Sequence, residues 1–194
     1  MQLSSITPDP KALRALSHPV RLRILGLLRA DGPSTASALA VRLGLNSGAT
    51  SYHLRQLAQH GFVVEEAWRG NGRDRWWKAA HQSTRSDKKA AESTPEGREA
   101  SDAFGQAIAV MHTEVLQRAI EEMPLLPTQW RNTTTLSDWG LKLTPERAAE
   151  LRDALVAVVD GWDEDSDDTV GAEDFVVVLQ TYPRPGRLET PESE

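Results

Sequence analysis

Residues 47–61, SGATSYHLRQLAQHG, gather side chains that donate hydrogen bonds. Wound as a helix from Ser47, the stretch sets Thr50, Leu54 and Leu57 on one face, with Ala58 beside them. The opposite face carries Gly48, Ser51, Tyr52, Arg55 and Gln59. Hydroxyl, phenol, guanidinium and carboxamide groups so placed suit phosphates and base edges. Small residues at the start permit close approach, and the positive end of the helix dipole points the same way. A second donor-rich stretch, Arg69-Gly-Asn-Gly-Arg-Asp74, is followed by Arg75. Arg69, Arg73 and Arg75 around flexible glycines have the reach for backbone phosphates or a narrow minor groove.

Other chemistries fit less well. His53 lies one turn before Leu57 and beside Leu54, at the border of the buried face. A histidine hydrogen-bonded in the domain interior is expected there ahead of a base contact, and metal ligation has no nearby partner. His112 and Glu114, two apart on a helix, point to different sides. Asp163-x-Asp165-x-Asp167 resembles the start of a calcium loop, but Asp168 stands where glycine is required and the twelfth position is Asp174 rather than Glu. It reads as a solvated acidic loop. With no cysteine, disulfides and zinc–thiolate sites are excluded. No phosphate-binding loop, dinucleotide fingerprint, nucleophile elbow or zinc-protease motif occurs. The expectation is a non-enzyme with no metal and no cofactor.

The elements that must hold the donor-rich face are legible around it. Pro10 is placed for a helix first turn, and Pro19 opens a second helix with Val20, Ile24, Leu25, Leu27 and Leu28 on a broad apolar face. Asp31-Gly-Pro33 ends that helix; Ser34 is expected to cap a third, which Gly44 stops. After Gly61 the period changes. Phe62–Trp68 and Arg75–Ala79 read as strands, with Asn71-Gly72 a hairpin signal between them. Two helices, then a helix-turn-helix ending in a recognition helix, followed by a basic-tipped hairpin, are the layout of a winged helix-turn-helix over residues 1–80.

The rest divides by composition. Residues 81–97 are polar and aperiodic, a linker by expectation. Residues 98–123 form a long helix with Phe104, Ile108, Met111, Val115 and Ala119 on one stripe, and Leu116, Ile120 and Met123 on a second face. Two apolar faces suit a dimerisation helix; the competing expectation is packing within one chain. In residues 124–183, Trp139, Leu141 and Leu143 alternate, a helix starts at Thr144-Pro-Glu146 with Ala148, Leu151, Leu155, Val158 and Trp162 inward, and Phe175–Leu179 is a continuous apolar run. Together they predict a small C-terminal α+β (βαβ) module, with a disordered tail at 184–194. If a small-molecule effector binds, Trp130, Trp139 and Trp162 are the expected place; otherwise the tryptophans are core and interface anchors. The fold class is thus mainly α with some β.

Charge separates the two ends. Residues 1–80 hold 11 basic against 5 acidic side chains, and residues 81–194 hold 11 against 23, within a net charge of −6. Only the front suits a polyanion. At 39% hydrophobic residues, no apolar stretch reaches the roughly 18 residues of a membrane span. The N-terminus lacks a signal-peptide layout, so a cytoplasmic location is expected.

The stretches ALSHPVRLRILGLL (15–28), STASALAVRLGL (34–45) and SGATSYHLRQLAQHGFVV (47–64) resemble the ArsR-type winged helix-turn-helix repressors. The resemblance covers residues 12–80. It implies a dimer that binds operator DNA and releases it on sensing a metal or another signal. It also places Ser47, Thr50, Ser51, Tyr52, His53 and Arg55 in the recognition helix. The family's Cys-x-Cys metal site cannot exist here, so metal sensing by that route is not expected. The expected partners are therefore double-stranded DNA and a second copy of the chain, binding an inverted repeat. The alternative is a winged-helix adaptor whose basic face binds an acidic protein.

Overall fold

A computed structural model describes residues 4–66, 75–85, 93–166 and 168–188. The chain divides into two units, one spanning residues 3–134 and the other residues 135–194 together with the first two residues.

The first unit begins with a two-residue strand, β1 (Ser5–Ile6), and the helices α1 (Pro10–Leu16) and α2 (Pro19–Ala30). Both helices open on proline, whose missing N–H costs nothing in a first turn. Asp9 caps α1 by accepting the Ala12 N–H at 2.7 Å, and His18 Nδ1 caps α2 by accepting the Val20 N–H at 3.2 Å. Next come β2 (Ser34–Thr35), α3 (Ala36–Leu43) and α4 (Ser47–Gln59). Ser34 is not the α3 cap. It pairs in a sheet, and Thr35 accepts the Ala38 N–H instead. Gly44 ends α3 at φ 65° and Gly61 follows α4 at φ 74°, both left-handed positions that disfavour a side chain.

Strands β3 (Val63–Glu65) and β4 (Trp76–Ala79) pair antiparallel, with Val64 opposite Lys78. Strand β2 joins the other edge of β4, Ser34 opposite Trp77, so the wing sheet has the order β2-β4-β3. The hairpin tip, with Arg69 and Arg73, lies outside the described residues, as does Trp68. One core closes the unit: Leu16, Ile24, Leu25, Leu39, Leu54, Leu57, Phe62 and Val63 are all sealed from solvent, and Trp77 of β4 covers them. Each such leucine contributes about 1.5–3 kcal/mol relative to exposure.

The expected linker at 81–97 is partly structured. Strand β5 (Ser83–Thr84) runs parallel to β1, with Ser5 opposite Ser83. Arg29 fastens this segment from α2: Nε donates to the His81 carbonyl at 2.9 Å and a terminal nitrogen to Thr84 Oγ1 at 2.8 Å. Burial pushes the Arg29 pKa down to about 10. The long helix α5 (Pro95–Glu122) starts three residues earlier than the sequence suggests, because Thr94 and Pro95 supply a cap and a first turn. It packs on α1 and α2, with Phe104, Ala107, Ile108 and Met111 against the core. That stripe therefore serves its own chain. Leu116 and Ile120, on the second face, stand 45% and 40% exposed. A 3-10 turn at Met123–Leu125 and a short α6 (Thr128–Arg131) follow.

In the second unit, α7 (Pro145–Asp160) forms where expected, capped by Thr144. The two flanking strands do not. Residues 139–143 and 175–179 form no ladder, and no described residue of this unit is buried. A strand persists only where a neighbouring strand takes its N–H and C=O groups, and neither segment pairs in a ladder among the described residues. Ala148, Leu151, Leu155, Val158 and Trp162 are exposed rather than inward. The described part of the expected tail, 184–188, is exposed, with a turn at 185–188.

Candidate nucleic-acid interface

Helix α4 is fixed at its start by Asn46. Asn46 Oδ1 accepts the Ala49 N–H at 2.7 Å, and the Asn46 carbonyl accepts the Thr50 hydroxyl at 3.1 Å. A Cβ at Gly48 would stand 3.3 Å from that cap oxygen, so a small residue here keeps the cap undisturbed. The cap fixes which residues turn inward. Thr50, Leu54 and Leu57 are sealed into the core, whereas Ser47, Gly48, Tyr52, Arg55 and Gln59 are exposed and Ser51 is half-buried. One face of α4 is thus committed to packing and the other is a free row of donors.

The charges on and near this row are unevenly matched. Arg55 is exposed; its Nε donates to the Ser51 carbonyl one turn back at 3.3 Å, and no carboxylate among the described residues pairs with it. Its charge is therefore available to an anion. In the wing, Arg75 stands 3.8 Å from Glu65 across the β3–β4 ladder, so part of its charge is already answered. Lys78 is 3.2 Å from Glu66, a carboxylate only 6% exposed, and belongs to the sheet rather than to the free surface. Of the three wing arginines, only Arg75 is among the described residues.

His53 is half-buried, but the interior hydrogen bond expected for it is not made by Nδ1, which is buried without a partner among the described residues. Its ring lies instead against two others, with centroids 4.7 Å from His18 and 5.4 Å from Tyr52, the latter edge-on. Burial first, then His18 and Arg21, hold the His53 pKa below the usual histidine value. Burial and Arg21 likewise lower that of His18. The sequence reading missed His18 and Arg21 as neighbours of this face. Their signal was the His18-Pro-Val-Arg21 spacing, which puts both at the start of α2, but nothing in the sequence says that α2 begins beside the middle of α4.

The other candidate places hold less. Among the described residues, no group of three or more histidines and carboxylates is arranged to hold a metal ion. Glu114 is bonded to Arg23 of α2 rather than facing His112 as a co-ligand. Trp139 and Trp162 are 80% and 77% exposed, and Trp130 belongs to the other unit. Asp167 lies outside the described residues. No described helix is long and apolar enough to cross a membrane.

No curated protein matches the chain. Among solved structures it is similar to fragment 1–100 of a possible transcriptional regulatory protein from Mycobacterium bovis, at 23% identity over 53% of this chain and 89% of that one, with a TM-score of 0.33. It is also similar to a mutant of ZitR from Lactococcus lactis in apo form, at 16% identity over 74% and 83% of the two chains and a TM-score of 0.32. A third similarity is to disulfide-formed AbfR, at 18% identity over 54% and 70%, with a TM-score of 0.26. Residues 16–66 match the family model described as a helix-turn-helix domain. The match runs from the end of α1 to the end of β3 and takes in all of α4. The chain therefore carries a helix-turn-helix domain, with α3 and α4 as its two helices and the donor row on the second.

Proposed function

We propose that the protein is a sequence-specific transcriptional regulator of the ArsR-like type, a repressor that binds an inverted-repeat operator as a cytoplasmic homodimer. The observation that carries this reading is the division of α4. Its start is capped by Asn46 and its inner face packed by Thr50, Leu54 and Leu57, while Tyr52, Arg55 and Gln59 are exposed and no carboxylate among the described residues pairs with Arg55. Ser47 and Ser51 lie at the N-terminal end, the part of a recognition helix that meets base edges. Thr50 and His53 act from behind, one as core and the other as a ring support. Arg69, Arg73 and Arg75 add phosphate contacts from the wing.

The homodimer forms through the outer face of α5, where Leu116 and Ile120 remain exposed after the inner stripe has been used. Two-fold symmetry then places the half-sites about 34–36 Å apart, one helical turn. A small-molecule effector would meet the C-terminal part at Trp139 and Trp162, both of which are exposed. The test is a mobility-shift titration against the duplex upstream of its own gene, with and without unrelated competitor DNA. A complex that survives competitor supports the reading. No complex with any duplex, together with capture of an acidic protein, would replace it with the adaptor reading.

A further inference from the structure

The arginines of α1 to α3 are matched with one exception. Arg14 pairs with Glu99, Arg23 with Glu114 and Arg42 with Asp31, while Arg29 bonds His81 and Thr84. Arg21 has no ion pair or hydrogen-bond partner among the described residues, and its Nε is buried. Burying a donor without an acceptor is costly, and a native structure that does so calls for an explanation. The groups whose charges couple to Arg21 include no carboxylate, and none of them accepts a hydrogen bond from its Nε. They are the phenol of Tyr52 and the two imidazoles of His18 and His53.

His18 narrows the choice further. Its Nδ1 accepts the Val20 N–H, so the neutral ring carries its proton on Nε2 and offers a donor there. The cluster thus presents a guanidinium, an imidazole N–H and a half-exposed phenol at the positive end of α2, with no carboxylate among them. A guanidinium fork beside neutral donors matches a phosphate oxyanion. Tyr52 also belongs to the free row of α4, three residues from Arg55, so an anion here lies at the margin of the surface assigned to DNA.

We propose that Arg21, His18 and Tyr52, backed by His53, form a seat for one backbone phosphate of bound duplex, additional to the contacts of α4 and the wing. This seat rests on the DNA-binding reading above. It gives α2 the task of fixing how α4 enters the groove, because a phosphate held at two helices at once sets the angle between protein and duplex. Arg21 completes its bonding only in the complex.

The test joins a salt titration to an imidazole titration. Duplex binding by wild type and Arg21→Gln is measured across salt concentrations. Loss of one phosphate contact per protomer lowers the log–log slope by about 0.9 for each site. In the wild-type protein, the pKa values of His18 and His53 are followed by NMR, free and with duplex. A phosphate in the seat raises both; a remote phosphate leaves both where they were. This second measurement decides the matter should Arg21→Gln fail to fold. An unchanged slope in a folded Arg21→Gln overturns the seat, as do unmoved imidazoles. Inorganic phosphate at matched ionic strength that shifts the imidazoles as far as duplex does overturns the assignment to DNA. Wild-type duplex binding without salt dependence removes the DNA-binding reading itself, and the seat with it.

Discussion

Leu54 and Arg55 are adjacent in the chain and opposite in α4, and replacing each in turn separates fold from function. Leu54 is 0% exposed, in a core shared by α2, α4 and β3. Leu54→Ala leaves a cavity that these elements close only in part, a cost of about 3 kcal/mol. For a protein of this size the melting temperature falls by roughly 10 °C. Among the described residues Arg55 makes one long hydrogen bond to the Ser51 carbonyl and no ion pair, so Arg55→Gln changes stability by less than about 0.5 kcal/mol. Its effect falls on DNA: the slope of log affinity against log salt drops by about 0.9 per protomer. Thermal melts followed by circular dichroism, with fluorescence anisotropy on a labelled duplex, read both quantities from the same samples. The reasoning is refuted if Leu54→Ala melts within a degree or two of wild type. It is equally refuted if a folded Arg55→Gln keeps the full salt slope.

Three further outcomes follow from the same geometry. Arg29→Met removes both bonds to residues 81–84; amide exchange at Ser83 and Arg85, which donate to the Ser4 and Ile6 carbonyls, should then accelerate well before the core exchanges, and uniform acceleration would contradict the fastening role. His18 and His53 have folded pKa values below their unfolded value of 6.5, so the unfolded chain binds more protons. Their contribution to stability is full above pH 6.5 and is lost as pH falls through the folded values; denaturation midpoints at stepped pH should show it, and His53→Gln should flatten the slope. The double variant Leu116→Glu/Ile120→Glu should lower the mass in sedimentation from that of two 21.4 kDa chains to that of one, and an unchanged mass would remove α5 as the dimer seam.

Much of the first unit could be read directly from residue order. Pro10 and Pro19 mark helix starts, Gly44 and Gly61 mark stops, and the 50, 54, 57 spacing identifies the inner face of α4, because each is a local signal with a local cause. The misses were long-range. Ser34 carried an acceptable capping side chain, yet β4 takes its backbone into the sheet and Thr35 inherits the cap. Strands β1 and β5 are two residues each, too short for a period; they pair through their backbones, and Arg29 fastens β5 to α2. At 139–143 and 175–179 the apolar pattern is real, but neither segment joins a ladder among the described residues, and a pattern alone does not make one. The free row on α4 was legible because burial follows helix period. The Arg21 cluster was not, because it depends on how two helices cross.

The central claim is that the free row on α4 meets the phosphates and bases of duplex DNA. The most direct measurement is the affinity of the wild-type protein for the duplex upstream of its own gene, across a series of salt concentrations. Arg55 from each of two protomers alone gives a slope of about −1.8, and the wing arginines make it steeper. An affinity that does not change with salt would contradict the account.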